Sequence, residues 1–129
     1  MEFTGQYLTY NEYQELGGTL NETPFNILEV EARKNIDKYT FGRLVALEEQ
    51  ILETKICEFK LINLLDTYNS YDNQSKSIAS ENTDGYSISY SQATENVSKA
   101  KISEIKYIIQ TQLAECQLED GTPYLYRGV

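Results

Sequence analysis

The chain has 129 residues, 40% hydrophobic and 24% charged, with a formal net charge of −9 and no histidine. That is one domain's worth of sequence with enough apolar content for a modest core, and an acidic surface that repels phosphate backbones, which disfavours DNA binding unless a local basic patch overrides it. The missing histidine removes the commonest general base and the commonest metal ligand together.

Six glutamates precede the first basic residue, Arg33, and no basic patch stands out along the chain. The opening "MEFTGQYLTY" has neither a basic n-region nor an apolar h-region, and no apolar run approaches membrane-spanning length. A soluble protein made in a cytoplasm is expected.

In "YLTYNEYQELGG", Thr9 and Glu12 have the spacing of a capping box, and Gly17-Gly18 is a helix stop, so a short helix is expected over about 10–16. In "ETPFNILEVEARKNIDKYTFG", Thr23 reads as N-cap and Pro24 as first helical residue, with Phe25, Leu28, Ala32, Ile36 and Tyr39 on one stripe. Early acids and late bases suit the helix dipole. Past Gly42, "RLVALEEQILETKICEFKLINLLDTY" reads as a third helix to about Tyr68. Leu44, Leu47, Ile51 and Leu52 begin its stripe, but Phe59, Leu61, Ile62, Leu64 and Leu65 crowd more than one face, which requires either a packed neighbouring element or another subunit. Glu48, Glu49, Glu53 and Glu58 read as its solvated face.

The polar "NSYDNQSKS" is expected to be an exposed connection. After it, "DGYSISYS" alternates apolar and polar residues behind a turn dipeptide, and a β-hairpin is expected over 77–91. A two-residue loop would set Ile88 opposite Glu81. A three-residue loop, Thr83-Asp84-Gly85, gives Gly85 the left-handed position and pairs Ile78 with Tyr90 and Ser80 with Ile88, which is the preferred register. Tyr86, Ile88 and Tyr90 would then share a face that rests on the chain's own helices or on a partner. A final helix is expected over about 94–118, with Ile102, Ile105, Ile109, Leu113 and Cys116 as its stripe, followed by an extended tail, 119–129, because Gly121 and Pro123 end helices. The fold class expected is mainly α: a small bundle of about four helices in a single domain (N-terminal helices within 10–68), with one β-hairpin and an extended C-terminal tail.

No constellation supports catalysis. Ser-His-Asp and Cys-His arrangements need histidine, no glycine-rich phosphate loop follows a strand, and Cys57 and Cys116 lack a CxxC context, so no enzyme activity, cofactor or metal is expected. The tail "PYLYRGV" is aromatic and aliphatic with one arginine. It suits docking along a partner's strand edge, with Tyr124, Leu125, Tyr126 and Arg127 as contact residues and Tyr126 and Arg127 as main anchors.

Taken in order, "YLTYNEYQELGGTL", "FNILEVEARKNIDKYTFGRL", "SENTDGYSISYS" and "LYRGV" resemble the small head-tail connector proteins, also called adaptor or head-completion proteins, of tailed phages and prophages of Gram-positive bacteria. The resemblance covers nearly the whole chain. It implies a non-enzymatic virion protein, assembled in the bacterial host cytoplasm, that forms a homo-oligomeric ring, commonly a dodecamer, between the portal protein and the stopper or tail-side connector. DNA would pass through the channel without specific binding, which suits an acidic wall, and the hairpin and tail would be arms for neighbours in a stack of rings. The rival reading is an acidic DNA-mimic or regulatory binding protein; a carboxylate-dependent enzyme is disfavoured by the absent histidine.

Overall fold

The computed structural model describes the backbone of residues 4–80 and 86–125, and the side chains of 4–70 and 97–125. Four helices follow in order: α1 (Tyr10–Glu15), α2 (Glu22–Thr40), α3 (Leu52–Ser80) and α4 (Tyr86–Leu113). Among the described residues the chain is mainly helical, and no helix is long and apolar enough to cross a membrane.

The capping box is present at α1: the Glu12 N–H donates to Thr9 Oγ1 at 3.2 Å and the Thr9 N–H to Glu12 Oε1 at 3.0 Å. Two backbone donors without helical acceptors are thereby satisfied. The start of α2 differs from expectation. Asn21, not Thr23, is the N-cap, and Pro24 is the third helical residue rather than the first. A proline is tolerated there because first-turn N–H groups have no intrahelical acceptor to lose. The helix ends in two left-handed residues, Phe41 (φ 57°) and Gly42 (φ 73°), whose N–H groups both bond to the Asp37 carbonyl.

The third helix starts nine residues later than the sequence pattern suggests. Residues 43–47 close short i→i+3 bonds, Arg43 to Thr40, Val45 to Gly42 and Leu47 to Leu44, instead of α-helical ones. Buried Gln50 donates its side-chain amide to the Leu44 carbonyl at 2.9 Å, taking an acceptor that a continuous helix would use. Leu44 anchors this segment in the core, while Ile51 and Leu52, expected on the apolar stripe, are exposed, as is Val45.

The crowded apolar faces of α3 have both partners within the chain. Leu61, Ile62 and Leu65 are buried, Phe59 and Leu64 pack against the same core, and α3 meets α2 and α4. Cys57 lies beside Cys116 and Tyr68 beside Glu104, so α3 and α4 run antiparallel. From α4, Ile105, Ile109 and Leu113 enter the core, but Ile102 is 58% exposed. At the other end Tyr13 packs at 4.7 Å from Phe25 and 5.7 Å from Phe59, ring centre to ring centre. Its hydroxyl accepts the Leu20 N–H at 3.0 Å while the Tyr10 hydroxyl donates to the Leu20 carbonyl at 2.9 Å.

Two expectations are corrected here. The connection over 69–77 is helical backbone within α3, and the described parts of the expected hairpin, 77–80 and 86–91, are helical ends of α3 and α4. The proposed loop, Thr83-Asp84-Gly85, lies outside the described residues. Continuing each helix satisfies backbone groups internally, whereas a lone two-stranded ribbon is marginal in water, so a period-two pattern six residues long is overridden.

The tail does not leave the body at Pro123. After α4 the chain reverses over Glu119-Asp120-Gly121. The Leu118 N–H bonds to the Thr122 carbonyl at 2.8 Å and the Gly121 N–H to the Leu118 carbonyl at 2.9 Å, with Gly121 at φ 91°. Asp120 Oδ1 accepts the Thr122 N–H at 2.9 Å. Gln117 and Pro123 form an antiparallel bridge, and the Tyr124 N–H returns to the Cys116 carbonyl at 2.9 Å. Tyr124 is thereby delivered into the core, 2% exposed.

Candidate interaction clefts and a buried carboxyl pair

Two of the clefts on the described surface share no lining residue. The first, about 500 Å³, lies where the end of α2 meets α4 and is lined by Lys38, Tyr39, Phe41, Lys106, Gln110 and Leu125. Phe41 is 54% exposed in spite of a left-handed backbone that costs a bulky residue about 1 kcal/mol. The Arg43 guanidinium lies 5.3 Å from its ring centre, and Arg43 also donates to the Tyr124 carbonyl at 3.1 Å. Lys38 sits 5.7 Å from the Tyr39 ring. The result is a basic and aromatic groove on an acidic protein.

The second cleft, about 360 Å³, is bounded by the N-terminal segment and the loop after α2, with Glu12, Val45, Glu48, Glu49 and Lys55 among its walls. Lys55 is bonded to Glu12. Burial disfavours the ionised Glu12 carboxylate, but hydrogen bonds from Lys55 and Thr9 outweigh it and hold its pKa below the usual value. Exposed Glu48 and Glu49 leave this side negative. An adjoining depression joins Val45 to Val30, Lys34 and Asp37, so the 44–49 loop runs back along α2 on the side away from Tyr39.

Between α2 and α3 lies a buried polar cluster that the apolar pattern did not reveal. Glu29 and Glu58 are both fully buried. Glu29 accepts the Tyr7 N–H at 3.2 Å and lies 3.3 Å from Arg33, which itself donates to the Thr4 carbonyl at 2.8 Å. The Tyr7 hydroxyl donates to Asp37 at 2.5 Å. Burial, and then the neighbouring Glu29 carboxylate, push the Glu58 carboxyl well above its ordinary pKa. Two carboxylates offer only acceptors, and neither Glu58 oxygen meets a donor among the described residues. Burial beside a second carboxyl thus favours the neutral form of Glu58. Glu58, read from sequence as part of a solvated face, is a core residue.

Of the contact residues expected from sequence, Leu125 lines the basic groove, half-buried, and Tyr124 is a core residue rather than an exposed anchor. Tyr86, Ile88 and Tyr90 fall in the first turns of α4, with side chains outside the described residues, as are Tyr126 and Arg127 altogether. The groove was missed: Lys38 and Arg43 flank Phe41 in sequence, but Lys106 comes from another helix. No family model, curated protein or solved structure matches the chain.

Proposed function

We propose that this chain is a non-enzymatic structural component of a tailed-phage virion, a head-tail connector that forms a ring between the portal protein and the stopper or tail, extends the DNA channel and completes the head for tail attachment. The ordered sequence resemblance supports the family, and the mainly helical body fits it. The observation that carries an assembly role is the number of large apolar side chains left in water. Among the described residues Ile27, Phe41, Val45, Leu52, Ile102 and Tyr107 are each more than half exposed, apolar surface that contacts with other subunits would cover. The net charge of −9 supports a channel wall along which DNA slides without being gripped. Particles assembled without the protein should contain heads lacking attached tails, with the defect restored by supplying it in trans. Normal tail attachment in its absence would remove this reading.

A further inference from the structure

We infer that the basic groove at the end of α2 receives the acidic 45–49 loop of a second copy of the chain, in a head-to-tail contact. The inference rests on the self-assembly part of the proposed function and names the two faces that meet.

The groove offers two lysines, Lys38 and Lys106, over an apolar floor of Tyr39, Phe41 and Leu125. The loop offers Val45, 66% exposed, beside exposed Ala46, and two residues further on the exposed acids Glu48 and Glu49. Each surface thus has an apolar half and a charged half, and the charges are of opposite sign. Val45 and Ala46 against the aromatic floor would bury both apolar halves, and Glu48 and Glu49 would meet Lys38 and Lys106. On α2, at 100° per residue, Val30 and Asp37 beside the loop lie to one side of the Phe25, Ala32 and Ile36 core stripe, and Lys38 beside the groove lies to the other. A contact between two different patches is heterologous, so repetition closes a ring or extends a filament instead of stopping at a two-fold dimer.

The test is a charge swap read by sedimentation velocity at low salt. The wild type is expected to show reversible association that weakens as salt is added. Reversing the groove, Lys38→Glu with Lys106→Glu, or the loop, Glu48→Lys with Glu49→Lys, should each weaken association about a hundredfold. Mixing the two variants should restore it, because each reversed groove then faces a reversed loop and each native groove a native loop. All four side chains are exposed, so circular dichroism of the variants should match the wild type. Association that ignores both reversals, or variants that do not rescue one another, would overturn this contact while leaving self-assembly through another face standing. A wild type still monomeric at about 1 mM would overturn the contact outright, since affinity weaker than that is negligible. The tail-attachment phenotype is read independently of either result.

Discussion

Tyr124 is the residue whose perturbation best separates a folded-back tail from a free arm. It is 2% exposed, its N–H is held by Cys116 and its carbonyl by Arg43, so the ring is fixed in the core from both sides of its backbone. Tyr124→Ala leaves those backbone bonds available but removes nearly all of the buried ring. Truncations of large buried aromatics cost about 3–5 kcal/mol, the spread depending on how far the cavity collapses. With about 2 cal/mol/K of unfolding entropy per residue, 3 kcal/mol lowers Tm by about 10 °C in a domain of this size. Thermal melts followed by circular dichroism, with urea unfolding to check that the m-value is unchanged, measure it. Leu125→Ala, at the half-buried rim, is the control and should cost about 1 kcal/mol. A Tyr124→Ala protein melting within about 2 °C of wild type would mean that the tail belongs elsewhere and the reasoning fails.

Three further outcomes are expected. Because Glu58 has a raised pKa, the folded state keeps its proton to higher pH than the unfolded chain, whose carboxyl titrates near ~4.3. Its contribution is complete below that value and is lost as pH rises through the folded value, so urea midpoints of wild type relative to Glu58→Gln should fall with increasing pH; a constant difference would argue against a neutral Glu58. A Cβ on Gly18 would lie 2.2 Å from the Tyr13 ring, which is 1% exposed, so Gly18→Ala should cost about 3 kcal/mol in urea melts, and a neutral substitution would show that this corner is loosely packed. Burial pushes the Cys57 thiol to about 12, so alkylation followed by mass spectrometry should modify half-buried Cys116 first and Cys57 only at the rate of unfolding; equal rates would contradict the burial.

The two Asp-Gly dipeptides show where local reading holds. The logic of a three-residue loop with a left-handed glycine was applied to Asp84-Gly85, which lies outside the described residues; the same logic holds at Asp120-Gly121, where the glycine has φ 91° and the flanking residues bond across the turn. Turn chemistry is legible in sequence. Where the turn leads depends on what the flanking segments pack against, and beyond Gly121 Tyr124 has a core to enter.

The candidate site was read less well than the fold. Of its groove only Leu125 was named in advance as a contact residue, because Lys38, Tyr39 and Phe41 are distant in sequence from Lys106 and Gln110 and pattern analysis has no term for their meeting. Buried Glu58 was hidden for a related reason: an acid near an apolar stripe reads as solvated, and Glu29, beside which it is buried, is on another helix.

By itself the sequence determined what depends on neighbouring residues: the capping box at Thr9 and Glu12, the stripe of α2, the Gly42 stop, the mainly helical class and the acidic charge. These rest on backbone hydrogen bonding and side-chain period within a few turns. Only the tertiary structure decided what depends on residues far apart: the late start of α3, where Gln50 caps Leu44 beneath the core, the fold-back of Tyr124, the burial of Glu58 beside Glu29, and the joining of Lys38 to Lys106 in one groove. In each of these the deciding energy is desolvation and packing between segments, which does not exist until the helices meet.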